Sequence, residues 1–377
     1  MEEIKMKDRK VLRRHRLKAG IDVDDVLFPC VEYAIEKANK EYKFNPPLSI
    51  DEITDWNLKG TRTEVVLKYF KDPDFYAAQP IFDGAVEFVK KLCEVVDVYF
   101  VTAVDPLCMG IRAKMLMERF PFIPSDRLIM TSSKNVVDLD ILLDDGGHNI
   151  LSTMAKYPVL FRRPWNQNIT GILAVNNYEE FLVLLNEIIY SFTENSFDPT
   201  KPAVIGLVGP SASGKTGIAE ELIETGKFGK PTSYTTRKPR NGTDIYHFVS
   251  KSEFLAKKKS GEIFESTVYA KEYYGTTKES VQEILDSGKH AIMPIDICGA
   301  LGMKNNFSNT IIIYVDRKKT ELLTSLLERR IPVEEKVNRI LCIDAESRNE
   351  ELCDFTVNNY GNIEQAAKQV LRILNME

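Results

Sequence analysis

The sequence predicts an α/β protein of two successive domains, each a parallel sheet flanked by helices. Short β-branched and aromatic runs alternate with stretches whose apolar residues recur at helical spacing, as in crossover-connected parallel strands. The alternation is interrupted at "TENSFDPTKPA", which is polar, holds two prolines and has no period. A chain of 377 residues is also long for a single core. The expected domains are 1–192 and 203–377, with 193–202 as linker.

In chain order, "IDVDDVLF" (21–28) reads as a strand ending in carboxylates. Residues 28–80 hold "YAIEKANKEYKF", "DEITDWNLKG" and "TEVVLKYF", read as helices or helix starts. "GAVEFVKKL" is a helix and "VVDVYFVTA" a buried strand, rich in β-branched and aromatic residues. "AKMLMERF" is helical, "RLIMTSS" strand-like, "LDILLDDGG" strand then turn, and "PVLFR" a strand. "YEEFLVLLNEIIYSF" is a strongly amphipathic helix. Beyond the linker, "AVIGLV" opens a second α/β pattern that runs to the C-terminus.

Composition narrows the function classes. Hydrophobic residues make up 44% and charged residues 28%, ordinary for a globular protein. Net charge is −5 with both signs interspersed, which argues against a nucleic-acid-coating surface. The six cysteines lack CxxC spacing and read as reduced thiols of a cytoplasmic protein. "KDRKVLRRHRLK" is basic without an apolar core, so no signal peptide is expected there. No apolar run approaches membrane-spanning length.

"GPSASGKT" (209–216) fits GxxxxGK[ST] between a strand and a helix, the context a phosphate-binding loop requires. Gly209, Ser211, Ser213 and Gly214 would wrap phosphate oxygens with backbone N–H groups. Lys215 would reach the β- and γ-phosphates of ATP, and the Thr216 hydroxyl would hold Mg²⁺. "PTSYTTRKPRNGTDIYHFVSKSEF" then sets Arg237 and Arg240 beside hydroxyl residues. Paired guanidiniums suit a phosphate monoester, although such a pair alone is as readily a solvated basic turn.

This segment resembles guanylate kinase, with its S-x-T-T-R-x-P-R-x-G pattern and Y-x-F-V-S strand. "GEIFESTVYAKEYYGTT", "IDICGA", the Arg-rich "LLERRIPVEEKVNRI" and "DFTVNNYGN" follow in the family's order. The resemblance spans 203–377 and implies a nucleoside monophosphate kinase fold with ATP as donor. It implies that Ser233, Glu265 and Thr276 read the guanine edge and that Arg237, Arg240, Tyr246 and Tyr274 hold the acceptor phosphate. It places Asp296 near the acceptor and Asn358 on the nucleotide, and it gives Arg330 and Arg339 the transferring phosphoryl group. Three features depart from the pattern: Pro294 where an acidic residue is usual, Cys298 where Gln is usual, and a short loop between Gly242 and Tyr246. They put metal organisation or acceptor specificity in question.

The first half is read from its carboxylates. On an extended chain Asp22 and Asp24 share a side, and two close carboxylates need a cation. Mg²⁺, which prefers hard oxygen ligands, supplies one. Alone, such a pair is more often a solvated turn. Thr102, Lys134 and the pair Asp144 and Asp145 follow at successive strand ends, which a doubly wound sheet gathers round one crevice.

The order resembles the haloacid-dehalogenase-like (HAD-like) phosphohydrolases and, within them, the 5′(3′)-deoxyribonucleotidases. "DVDDVL", "QPIFDGAVEFVKKL", "SSKNVVDLDILLDD" and "LFRRPWNQ" carry the likeness over 19–192. It implies that Asp22 is the nucleophile, Asp24 the general acid and base, and Thr102 and Lys134 the phosphate ligands. It implies Mg²⁺ on Asp22, the Asp24 carbonyl, and Asp144 or Asp145. Residues 28–80 would form a helical cap, where Phe28, Trp56 and the aromatics of "KYFKDPDFY" either stack on a base or fill the cap's core. Asp25 where glycine is usual, and Lys18 in the preceding strand, suggest a looser, more exposed site. Ala103 suggests a weaker phosphate grip.

The expectation is a bifunctional enzyme with small-molecule nucleotides as its partners. The alternative is one active domain fused to a non-catalytic binding domain. Shared substrates would make a futile cycle, so different base preferences are expected.

Overall fold

The computed structural model describes residues 16–190, 197–239, 246–269 and 272–376. They fall into two compact units that part between Asn186 and Glu187.

The first unit runs β1 (Lys18–Ile21), α1 (Cys30–Tyr42), α2 (Pro73–Ala77), α3 (Ala85–Val95), β2 (Asp97–Thr102), α4 (Met109–Arg119), β3 (Leu128–Met130), β4 (Ile141–Asp144), α5 (Gly147–Ser152), β5 (Tyr157–Phe161) and β6 (Ala174–Val175). α6 (Tyr178–Tyr190) crosses the division. The strands pair in the order β3-β2-β1-β4-β5-β6, every pairing parallel. β4 and β5 are buried throughout, as continuous apolar runs in a parallel sheet should be. Gly20 lets β1 sit tightly, since a Cβ there would meet Leu139 Cδ1 at 2.5 Å. Chain direction across the sheet reverses at β1, so the crevice opens at the carboxyl ends of β1 and its neighbours.

Residues 28–80 are helical wherever they are regular: α1, α2 and 3₁₀ stretches at Ile50–Glu52 and Arg62–Lys71. They close on an apolar core that includes Ile35, Leu48, Ile53, Val66 and Phe75. We call this helical segment the cap.

The second unit runs β7 (Val204–Val208), α7 (Lys215–Glu224), β8 (Phe228–Gly229), β9 (Ser233–Thr235), β10 (Tyr246–Phe248), α8 (Lys251–Lys259), β11 (Ile263–Tyr269), β12 (Glu272–Thr277), α9 (Lys278–Asp286), β13 (His290–Pro294), α10 (Ile297–Asn306), β14 (Thr310–Asp316), α11 (Lys319–Glu328), α12 (Val333–Ser347), β15 (Phe355–Asn358) and α13 (Ile363–Ile373). A parallel sheet, β15-β14-β7-β13-β8, carries the main core of Ile205, Leu207, Ile292, Ile311 and Ile313. A smaller mixed sheet, β10-β9-β12-β11, stands beside it. Ahead of β7, Asn309 accepts from the Asp198 N–H at 2.9 Å and donates to the Asp198 and Pro202 carbonyls. The last residues of the expected linker are thus fastened to this unit, while 191–196 lie outside the described residues.

All six cysteines are free thiols. Among the described residues no helix is long and apolar enough to cross a membrane.

Candidate active sites

In the first unit, Asp22 follows β1, Thr102 ends β2, Lys134 follows β3, and Asp144 and Asp145 end and follow β4. The parallel register brings these strand ends together. Carboxylate oxygens of Asp22, Asp144 and Asp145 lie within 4.8 Å of one another, all buried. Lys134 Nζ is 2.7 Å from Asp22 Oδ1 and 2.6 Å from Asp144 Oδ2. Burial and the neighbouring Asp144 hold Asp22 above the usual carboxylate range, against the pull of Lys134. Asp145 is raised too, by burial and then by Asp25, Asp22 and Asp144. Lys134 is raised by its two aspartates in spite of burial. The Thr102 hydroxyl is buried without a hydrogen-bond partner, as suits a group that meets a ligand oxygen.

The two acidic neighbours differ. Both oxygens of Asp144 are engaged: Oδ2 by Lys134 and by Asn149 at 3.1 Å, Oδ1 by the Gly146 N–H at 2.7 Å and by Asn149 at 3.1 Å. Asp145 accepts from Trp165 Nε1 through Oδ2 alone, at 2.8 Å. Three buried carboxylates sharing one ammonium are short of positive charge, and their hard oxygens fit Mg²⁺. The expected result is a higher melting temperature with Mg²⁺. At about a hundredfold its dissociation constant the ion stabilises by about 2.7 kcal/mol, roughly 5–10 °C for a unit of this size. Asp145→Asn, which relieves repulsion, should raise the melting point in chelator and erase the Mg²⁺ increment. A full increment in that variant would count against Asp145 as a ligand.

Asp24 and Asp25 part in role. Asp24 lines the cleft and pairs with Arg112. Asp25 stands in the left-handed region, φ 55, a conformation aspartate tolerates better than most residues. It is buried, and its Oδ1 accepts from the Val31 N–H at 3.0 Å, capping the first turn of α1. The expected looseness is therefore corrected. The replacement for glycine is a buried cap, and Lys18 turns outward to Asp138 at 2.7 Å.

Trp56, Phe70 and Tyr76 line the same cleft, of about 230 Å³. Phe28 does not: it is fully buried and packs edge-on against Phe120. Phe75 is likewise core.

In the second unit the phosphate loop follows the central strand β7. Gly209 has φ +151, and a Cβ there would meet the Val315 carbonyl at 2.7 Å. Gly214 has φ +98, and a Cβ would lie 2.1 Å from Asn359 Nδ2. Asn359 donates to the Ser213 carbonyl at 2.7 Å, whereas Asn358 is exposed and bonds Gln369. The residue on the loop is thus Asn359 and not Asn358, because the strand's alternation turns the neighbour inward.

Lys215 Nζ donates to the Gly209 and Pro210 carbonyls at 2.7 and 2.9 Å. Burial pulls it down to about 8, with Arg329 and Arg339 adding and Glu346 opposing. Thr216 opens to a cleft of about 460 Å³ with Arg317, Arg329 and Arg339. Arg339 donates to Ser211 Oγ at 2.5 Å, and Arg317 to the Ala212 carbonyl at 2.7 Å. Arg329 and Arg330 are both exposed, and of the two only Arg329 lines this cleft. Past the end of α11 the chain is extended, and the two adjacent arginine side chains diverge. Glu346 accepts from the Ser211 N–H at 3.0 Å. Arg317 and Glu346 lie outside the quoted motifs, whereas Arg329 and Asn359 lie within "LLERRIPVEEKVNRI" and "DFTVNNYGN", one position from the residues expected there.

The acceptor side is set by strand register. Glu265 pairs with Thr276 across β11 and β12, and Thr276 with Ser233 across β12 and β9. Thr276 donates to Glu265 at 2.6 Å and lies 3.2 Å from Ser233 Oγ. Tyr246 and Tyr274 meet edge-on at 5.9 Å, and Arg237 lies 5.7 Å over the Tyr246 ring. Arg240 lies outside the described residues, as does most of the short loop before Tyr246. Asp296 caps α10, accepting from the Gly299 N–H at 2.8 Å. Pro294 ends β13 where its missing N–H costs nothing. Ala291 and Ile295 direct their N–H groups to β7, so position 294 faces the β8 side, where β8 has already ended. Among the described residues no acidic cluster stands at the phosphate loop.

Residues 200–377 match the family model described as guanylate kinase. Residues 16–189 match that of the 5′ nucleotidase, deoxy (pyrimidine), cytosolic type C protein. A guanylate kinase of Clostridium tetani is 38% identical over 141 residues, covering 36% of this chain and 68% of that one. A 5′(3′)-deoxyribonucleotidase of Bacillus subtilis is 31% identical over 164 residues, covering 43% of this chain and 94% of that one.

The chain belongs to both families, one in each half.

In the guanylate kinase half, Ser233, Thr276 and Glu265 form one hydrogen-bonded row across three strands, with a carboxylate at its end. In the deoxyribonucleotidase half, the acid trio lies beneath the cap aromatics.

Proposed function

We propose that the chain is a bifunctional nucleotide enzyme. The deoxyribonucleotidase half hydrolyses deoxynucleoside monophosphates through an aspartyl-phosphate. The guanylate kinase half passes the γ-phosphate of ATP to GMP or dGMP. One observation carries this reading: each parallel sheet ends in its own intact phosphate-handling set, Asp22 with Lys134 and the partnerless Thr102 hydroxyl in one, the Lys215 loop in the other.

At the hydrolytic site, Asp22 Oδ1 is held by Lys134 and by the Val23 N–H, both at 2.7 Å. Oδ2 attacks phosphorus. Asp24 gives its proton to the departing sugar oxygen and then takes one from the water that cleaves the acyl-phosphate. Lys134 and Thr102 hold the phosphate oxygens. Mg²⁺ bound through Asp22, Asp145 and the Asp24 carbonyl would neutralise phosphate charge, with Asp144 anchoring Lys134. Trp56, Phe70 and Tyr76 stack on the base, which we take to be a pyrimidine.

At the kinase site, Lys215, Arg329 and Arg339 meet the charge that spreads over the transferring group. Ser233, Thr276 and Glu265 read guanine, Arg237, Arg240, Tyr246 and Tyr274 grip the acceptor phosphate, and the Thr216 hydroxyl would hold Mg²⁺. Both activities belong in the cytoplasm, where reduced thiols and free nucleotides occur together.

A panel of nucleotides tests the reading, with phosphate release and ADP formation measured on the same chain. Pyrimidine deoxynucleotides should lose phosphate, and only GMP and dGMP should drive ADP formation. Identical substrate profiles for the two halves would sink the division of labour. Absence of ADP formation with any acceptor would reduce the kinase half to a binding module.

Glu265 gives a separate prediction. Burial pushes its carboxyl up to about 7, against the Thr276 hydrogen bond. Guanine N1–H and N2–H₂ require the charged form, so binding below that pH releases a proton. The KM for GMP should rise by up to about tenfold per pH unit below neutrality, while the KM for ATP does not follow. Glu265→Gln should abolish the slope and weaken GMP by at least about a hundredfold.

A further inference from the structure

We propose that Arg112 is a positioning residue of the hydrolytic site, aiming the Asp24 carboxyl at the departing sugar oxygen and tying that aim to the cap. This deepens, and rests on, the reading of Asp24 as proton donor.

Asp24 stands on the loop after β1, with the Cys30 thiol against its side chain. Arg112 reaches it from α4 and is fully buried. Its Nη2 donates to Asp24 Oδ1, and its Nη1 donates to Gln79 Oε1 at 3.1 Å. The guanidinium lies 4.4 Å over the Tyr76 ring and 5.5 Å from that of Phe28. Gln79 and Tyr76 belong to the cap, so one planar group joins the loop, the cap and α4. Asp24 still opens to the cleft, with 21% of its side chain exposed.

Core stability alone does not account for this arrangement. Arg112 Nε and Gln79 Nε2 are both buried without a hydrogen-bond partner. A buried ion pair contributes little to stability even when every donor is satisfied, and here two are not. What the geometry secures is the direction of one carboxylate.

In the transfer step, with Asp24 protonated on Oδ2 while Oδ1 accepts from Arg112, an Asp22 oxygen bonds to phosphorus, the bond from phosphorus to the sugar oxygen breaks, and the Oδ2 proton goes to that oxygen, leaving the Asp24 carboxylate paired with Arg112. The aim of Asp24 matters only for the proton. A p-nitrophenolate leaves without one, so the two leaving groups separate aim from everything else in the site.

The experiment compares kcat/KM of the full chain for a deoxynucleoside monophosphate and for p-nitrophenyl phosphate. This ratio covers steps up to the aspartyl-phosphate, before Asp24 acts on water. Arg112→Met should lower the nucleotide value about a hundredfold and the p-nitrophenyl phosphate value less than about threefold. Because loss of Arg112 strands a buried carboxylate, Gln79→Leu is measured beside it, with circular dichroism melts on both. Gln79→Leu leaves the charge pair intact and removes the cap anchor, so it should give the same split at about tenfold. If Arg112→Met does not fold, Gln79→Leu decides. Equal losses on both substrates, or no loss on either, in a folded variant overturn the proposal while the phosphatase reading stands. A wild-type chain inert toward both substrates overturns that reading and the proposal with it.

Discussion

Asp22→Asn is expected to lower phosphate release from every nucleotide by at least ~10⁴-fold, the scale seen when a nucleophile is removed from a concerted site. ADP formation with GMP should be unchanged. The substitution is nearly isosteric, and the amide oxygen can still accept from the Val23 N–H and from Lys134, which now hold Oδ1. What is lost is a carboxylate oxygen able to form an acyl-phosphate. Removing the charge also relieves repulsion from Asp144, which holds Asp22 above its ordinary range, so the variant should melt no lower than the wild type. Labelled phosphate trapped by acid quench on the wild-type chain and absent from the variant is the direct readout. Trapping that persists in Asp22→Asn would move the nucleophile to another member of the acid trio.

Lys215→Ala should do the reverse, lowering kcat/KM for ATP by at least ~10³-fold, as loss of a principal cation at a phosphoryl-transfer site does, and leaving phosphate release untouched. With no triphosphate bound, the ammonium rests on the Gly209 and Pro210 carbonyls of its own loop. These are weak partners for a buried charge, and its pKa falls to about 8. Phosphate oxygens are stronger partners, so the side chain is poised to exchange one set for the other. Alanine keeps the loop's backbone N–H groups, and helix α7 still begins at the same point. A deficit of that size would therefore belong to the ammonium. ATP turnover within a few fold of wild type would show that Lys215 does not reach the transferring phosphate.

Much of both sites was legible because their residues are placed by local rules. The phosphate loop is contiguous, so strand, Gly-rich turn and helix announce it together. Asp22, Thr102, Lys134 and Asp144 are scattered in sequence but share one topological address, the ends of successive parallel strands. What stayed hidden is what tertiary approach supplies. Arg112 reads as an ordinary charge within a helix until α4 packs against the loop after β1. Asn149, which holds Asp144, lies on a later segment with no motif of its own, and Trp165, which holds Asp145, sits in "LFRRPWNQ" with nothing there to show which carboxylate it meets. Asn359 and Arg329 were missed by a single position each, where backbone direction at an element's end decides which neighbour turns inward. Asp25 looked like a defect in a pattern and is a helix cap. Its aptness depends on a φ that no residue list reveals.

Pro294 has a kinetic consequence. With proline there in place of an acidic side chain, Lys215, Arg317, Arg329 and Arg339 line the kinase cleft; Glu346 lies beside Lys215, and Arg317 and Arg339 pair with Glu321 and Glu335. The cleft lining itself is cationic, and these carboxylates offset only part of its charge. Encounter with ATP should be steered from a distance and should slow steeply as ionic strength shortens the Debye length from about 30 Å at 0.01 M to about 8 Å at physiological salt. The kinase half should thus respond to salt through its association rate, and simple polyanions should compete for its mouth.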